Sequence, residues 1–328
     1  MEGSSPSLQS VDPHQGLSGL HIIISQRYCP VLQFQPPGFV QRVLPTPLGV
    51  MAYYTRPPES PRLEPQNTRP PLVFLHSLGG GSSAFEWSKV YPAFGHSHRV
   101  IAPDLIGWGQ SAHPVRNYQV QDYFQVITHL LEALAEPPAL VVATSLTAGV
   151  VIRLATQQPH LFQRLFLVSP SGNGDFGRDY RTSLPALLAG TPGIDTLLYQ
   201  LGAANELAVR SFLSTFLFAN PSRITEDVVQ AYLTCTQQPN AQYSALASLN
   251  GTISFDLARY IGQLKTPTTI LLGEKSRFTP PAVTRRLASL NTQAIQAVAE
   301  IPDAGVLPHL ECPDLVIEQL KTFVNTEG

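Results

Sequence analysis

The chain has 328 residues with 21 Lys+Arg and 23 Asp+Glu, so charged residues are 13% of it, roughly half the share usual in soluble proteins. Hydrophobic residues make up an ordinary 43% and prolines number 30, which excludes a disordered polyelectrolyte. A net charge of −2 offers no basic face to neutralise phosphates and argues against a nucleic-acid binder.

Cys29, Cys235 and Cys312 lie far apart, giving neither a disulfide framework nor a CxxC pair. The first 26 residues contain no Lys or Arg, so the basic segment that opens a secretory signal is missing. The longest uncharged apolar candidate, Ala139–Ile152, runs for 14 residues, short of the roughly 18 needed to span a bilayer. A soluble, cytoplasmic protein is the expectation, with peripheral membrane contact left open. No metal-ligand spacing appears among the nine histidines, and no cofactor is called for.

In chain order, residues 1–35 are rich in Ser, Gln and Pro around the apolar Leu20–Ile24 and read as an N-terminal arm. Phe39–Leu44 and Val50–Thr55 read as two short strands joined at Leu48-Gly49. Thr55–Pro71 holds six prolines in 17 residues, which neither a helix nor a central strand tolerates. From there the pattern becomes short apolar runs spaced by helix-length segments. The runs are Leu72–Leu75, Arg99–Ala102, Leu140–Ala143, Leu165–Val168, Thr269–Leu272 and Ile295–Ile301. Such runs read as parallel strands buried on both faces. Helical spacing marks Tyr118–Leu134 and, more briefly, Ala148–Ala155. The alternation predicts an α/β fold, a mostly parallel sheet with helices on both faces. Residues 172–263 exceed one crossover helix. Leu184–Leu188, Ile194–Leu201, Glu206–Phe218 and Thr225–Thr236 within them read as a helical cap, leaving residues 36–171 and 264–328 as the core.

Leu140-Val141-Val142-Ala143-Thr144-Ser145-Leu146-Thr147-Ala148-Gly149 is a buried strand running straight into a helix with a serine at the turn. A nucleophile there needs small neighbours two positions away on either side, because the sharp turn crowds them. Ala143 and Thr147 hold those positions. A simple serine N-cap is the competing reading. Phe74-Leu75-His76-Ser77-Leu78-Gly79-Gly80-Gly81 follows the first central strand, and Asp104-Leu105-Ile106-Gly107-Trp108-Gly109-Gln110-Ser111 follows the second. In order and spacing these three segments resemble the α/β-hydrolase superfamily, and the Asp104 block fits its D-L-x-G-x-G-x-S loop at every fixed position. The resemblance spans Phe39 to the C-terminus.

That resemblance implies Ser145 as nucleophile and the backbone amides of Leu78 and Leu146 as an oxyanion hole. It makes His76 and Asp104 structural holders of their loops. Ser77 departs from the glycine that follows the family's His. Two further departures concern the triad. The family's acid position is Ser276, in Leu272-Gly273-Glu274-Lys275-Ser276-Arg277-Phe278, and its base position is Val306, in Gly305-Val306-Leu307-Pro308-His309-Leu310-Glu311-Cys312-Pro313. A serine hydroxyl without a base is a weak nucleophile. His309 and Asp175 are the candidate substitutes for base and acid, each with a structural role as its plainer reading, and Asp303 reads as a solvated loop residue.

The resemblance therefore implies one of two functions. The first is an ester or thioester hydrolase acting on an apolar substrate through Ser145 with an incomplete triad. The second is an inactive relative that binds an apolar ligand or a protein partner. A haloalkane-type reaction would need a carboxylate at position 145. The segments T-S-L-T-A-G and Arg285–Asn291 are also loosely similar to a branch from photosynthetic lineages that neighbours chlorophyll-dephytylating enzymes.

Overall fold

The computed structural model describes residues 34–57, 69–177 and 205–326. The expected arm, apart from its last two residues, and the cap segments Leu184–Leu188 and Ile194–Leu201 lie outside the described residues.

The apolar runs form one eight-stranded sheet in the order β1-β2-β4-β3-β5-β6-β7-β8. The strands are β1 (Val40–Thr46), β2 (Gly49–Thr55), β3 (Leu72–Leu75), β4 (Val100–Pro103), β5 (Ala139–Thr144), β6 (Phe162–Val168), β7 (Thr268–Gly273) and β8 (Ile295–Ile301). β1 and β2 form an antiparallel hairpin, and β2 meets β4 antiparallel. From β4 through β8 every pairing is parallel.

Side chains alternate between two cores, as the period of a strand requires. Val73, Leu75, Val141, Ala143, Leu165 and Leu167 enter one core. Leu72, Phe74, Leu140, Val142, Phe166 and Val168 enter the other. The first is covered by α1 (Val120–Leu130) and α2 (Ser145–Gln157), whose buried faces include Tyr123, Ile127, Val151 and Leu154. Opposite them lie Trp87, Phe94 and the C-terminal helix carrying Val316, Leu320 and Phe323. The predicted helix at Tyr118–Leu134 begins at Val120, where Asp122 accepts the Gln119 amide at 2.8 Å, and its last turn widens to an i→i+5 pattern over Leu131–Ala135. One expectation fails in detail. β8 is not buried on both faces, because it is the edge strand and its Gln296, Ala297, Val298 and Glu300 are exposed.

Between β6 and β7 the described helices are α3 (Glu206–Phe212), α4 (Glu226–Thr236), α5 (Ala241–Leu249) and α6 (Ala258–Ile261). The sequence pattern anticipates the first two. After β7 come α7 (Pro281–Ala288), α8 (Pro308–Glu311) and α9 (Pro313–Asn325). No helix among the described residues is long and apolar enough to cross a membrane.

Candidate active site

Ser145 sits where β5 turns into α2. Thr144 is still extended at φ −127°, whereas Ser145 adopts the left-handed region at φ 53°. For a residue with a Cβ this costs on the order of 1–3 kcal/mol and persists only when its surroundings impose it. Two contacts do so. Thr147 Oγ1 donates to the His76 carbonyl at 2.6 Å, fastening α2 to the loop after β3. At Gly149 a Cβ would lie 2.3 Å from the Ser171 carbonyl oxygen, so only glycine lets α2 approach the loop after β6 this closely.

The two amides that the resemblance implies as oxyanion donors share this corner. Leu146 is in the first turn of α2, where amides have no intrahelical acceptor. In the loop after β3, Ser77 N donates to Glu86 Oε2 at 2.8 Å and Gly79 N to Ser82 Oγ at 3.1 Å. The Leu78 amide between them has no acceptor among the described residues. Ser77, Leu78, Ser145 and Leu146 line a cavity of about 240 Å³, together with Val209, Phe212 and Leu217 from the β6–β7 insertion and with Phe278 and Val306. None of its described lining residues carries a charge.

The flanking loops are held by buried polar groups. His76 Nε2 accepts the Leu105 amide at 2.9 Å, which places the ring proton on Nδ1, 2.6 Å from the Ser77 carbonyl oxygen. Burial lowers its pKa to about 4, so the ring is neutral and serves as a bridge. Asp104 accepts from Ala84 N at 2.7 Å, Gln110 N at 2.8 Å and Tyr54 OH at 3.1 Å, while burial pushes its carboxyl up to about 6.

The substitute base and acid are placed elsewhere. His309 is fully buried and stacked on Trp87, with ring centroids 3.9 Å apart and planes at 13°. It does not line the cavity, and neither ring nitrogen has a hydrogen-bond partner among the described residues. Asp175 likewise stands outside the lining. Its carboxylate accepts from Ser171 Oγ at 2.7 Å, Gly172 N at 3.0 Å and Leu257 N at 3.0 Å, tying the loop after β6 to the segment before α6. Asp303 pairs with Lys275 at 2.6 Å and Arg223 at 2.9 Å on the surface. Ser276, where the resemblance implies the acid, is buried with its hydroxyl unpartnered among the described residues, and Val306, where it implies the base, lines the cavity with a side chain that has no proton to move.

One buried acid escaped the sequence reading. Glu86 lies in a 3₁₀ turn, Ala84–Trp87, and is completely buried. Besides the Ser77 amide it accepts Ser77 Oγ at 2.8 Å and Tyr232 OH at 2.9 Å, linking the loop after β3 to α4. Its signal in the sequence is a single acid inside the aromatic run Phe85-Glu86-Trp87, paired with the hydroxyl that replaces glycine at position 77.

A family model described as the alpha/beta hydrolase family matches residues 72–319, and the chain belongs to that family. An uncharacterized protein of Mycobacterium tuberculosis is 37% identical over 103 residues, which is 31% of this chain and only 30% of that protein's length. The uncharacterized hydrolase YugF of Bacillus subtilis is 26% identical over 260 residues, covering 78% of this chain and 90% of its own. Among solved structures, the carboxylesterase CesB from Bacillus subtilis aligns with a TM-score of 0.69 at 17% identity, over 90% of this chain and 94% of that one. At that identity the likeness concerns the fold alone.

Proposed function

We propose that this chain cleaves esters or thioesters of uncharged, apolar substrates, with Ser145 as the nucleophile in a triad that lacks the family's acid and base. The observation that carries the reading is the left-handed backbone at Ser145, at the edge of an uncharged cavity also lined by Leu78 and Leu146. A serine used only as an N-cap takes extended backbone and needs no such strain. Preorganised amides aimed at a developing oxyanion are worth about 10²–10³ in rate each, so acyl transfer at this corner keeps a residual rate enhancement without the histidine. A competing reading, a non-catalytic site for an apolar ligand, draws support from Val306 in the cavity lining and from His309 stacked outside it.

Labelling with a fluorophosphonate probe separates the two. The expected result is stoichiometric modification of the wild type, mapped to Ser145 and absent in Ser145→Ala. A correctly folded wild type that stays unlabelled at saturating probe would establish the ligand-binding reading instead.

A further inference from the structure

The cavity has Val306 where the resemblance implies a histidine, and it has the Ser77 hydroxyl where the resemblance implies glycine. Ser77 Oγ donates to Glu86 Oε1 at 2.8 Å, and Ser82 Oγ lies 2.7 Å from Ser77 Oγ. Since the single Ser77 proton is committed to the carboxylate, Ser82 is the donor in that second bond. A hydroxyl oxygen has two acceptor sites, so Ser77 Oγ keeps one free in the lining it shares with Ser145. Behind it, Glu86 receives Ser77 N, Ser77 Oγ and Tyr232 OH, has the Ser82 hydroxyl as a further partner, and meets no cation among the described residues. Burial raises its carboxyl above the ordinary range, which moves a general base toward the pH at which it is most effective.

We propose that Ser77 and Glu86 form the proton-accepting pair for Ser145, the hydroxyl relaying and the carboxylate receiving the proton that the family's histidine would take. The proposal rests on the reading of Ser145 as a nucleophile. In acylation, Ser145 Oγ bonds to the carbonyl carbon and its proton passes to Ser77 Oγ as the Ser77 proton moves to Glu86. The carbonyl π electrons move onto oxygen, facing the amides of Leu78 and Leu146. Collapse re-forms the carbonyl and breaks the bond to the alcohol oxygen or thiol sulfur, which recovers the proton along the same relay. Water then repeats the sequence on the acyl-enzyme and frees the acid. Glu86 acts through Ser77 and is a positioning and proton-storing residue.

The other titratable groups around Glu86 are Tyr232 and Cys235 of α4, Asp104 after β4, His76 beside Ser77, and His309 stacked on Trp87. Burial keeps Tyr232 and Cys235 protonated and holds His76 and His309 neutral above about 4 and 3 respectively. Asp104 is therefore the other group among them whose carboxyl burial raises, to about 6.

The test is the rate of fluorophosphonate labelling at Ser145 against pH for the full chain and its Ser77→Ala and Glu86→Gln variants. In this reaction the phosphorus–oxygen bond forms, fluoride leaves, and the serine proton goes to the pair. The wild-type rate is expected to rise to a plateau as Glu86 ionises. Both variants are expected to lose that rise and to label about 10²-fold more slowly, the usual worth of a general base. Ser77→Ala keeps the amide-to-carboxylate bond, so it decides the matter even where melting shows that Glu86→Gln fails to fold. Wild-type rates in the variants, or slower rates with the pH profile unchanged, overturn the relay and leave Glu86 a loop fastener. An unlabelled wild type removes the nucleophile itself and the proposal with it.

Discussion

His309 carries its ring without a hydrogen-bond partner at either nitrogen among the described residues, and burial pushes its pKa down to about 3. An unfolded histidine ionises near 6.5. Between these two values the unfolded chain takes up a proton that the native ring refuses, so stability is full above pH 6.5 and is lost as the pH falls toward 3. From pH 6.5 to 4 the loss attributable to this one ring is on the order of 3 kcal/mol. Asp104 works in the opposite sense. Its folded pKa of about 6 exceeds the ordinary 3.8, so its burial is costly above pH 6 and that cost is relieved as the pH drops. His309→Phe keeps a ring against Trp87 and removes the titration. Urea unfolding of this variant should lose about 2–3 kcal/mol less between pH 6.5 and 4 than the wild type. Parallel stability–pH curves would mean the native ring takes up protons after all. Residue roles were the least legible part of the sequence. The departures at Ser77, Ser276 and Val306 stand out beside the family pattern, but Glu86 acquires its meaning only from Ser77 and Tyr232, one of which lies 146 residues away.

At the scale of elements, the ends of β7 and β8 come together. Lys275 N donates to the Ala304 carbonyl at 2.9 Å, and a Cβ on Gly273 would sit 1.9 Å from the Gly305 carbonyl oxygen. Glu311 shapes the second loop by accepting from Gly305 N at 2.5 Å and from Ala219 N at 3.0 Å in the insertion. With both loops in contact, the double substitution Ser276→Asp with Val306→His should rebuild an acid–base pair beside Ser145. The expected gain in ester turnover is about 10²-fold or more, measured with a p-nitrophenyl ester of medium chain length. No gain in a folded variant would show that position 306 cannot reach the nucleophile. The strands behind this geometry were readable because each is a short apolar run covered on both sides. β8 misled because an edge strand can be apolar in composition and still face solvent. α5 was missed for a different reason. Its sequence Ala-Gln-Tyr-Ser-Ala-Leu-Ala-Ser-Leu has small residues around its circumference and no pronounced apolar stripe.

For the whole molecule, the shortage of charge has a structural counterpart in two large apolar cores and a cavity whose described lining carries no charge. The same sheet also separates what must be constant from what can vary. β6 and β7 are neighbours in register, Leu165 beside Thr268 through Val168 beside Leu271, and the Ser169 amide still reaches the Leu271 carbonyl at 2.8 Å. Because the two strands run parallel, the long insertion leaves at the C-terminal end of β6 and returns to the N-terminal end of β7, as a crossover connection. Once such a crossover is long enough to span the sheet, each doubling of its length adds only about 0.6 kcal/mol of entropic cost. The scaffold is accordingly modular. The segment that supplies Val209, Phe212 and Leu217 to the cavity is expected to be exchangeable for one of another length that keeps the contacts of Tyr232 with Glu86 and of Ala219 with Glu311. A chimera carrying a foreign insertion between Ser171 and Leu264 is expected to keep the far-ultraviolet signature and cooperative melting of the parent while changing ester preference. Loss of cooperative melting would show that the insertion holds the sheet together, and that substrate choice and folding evolved as one.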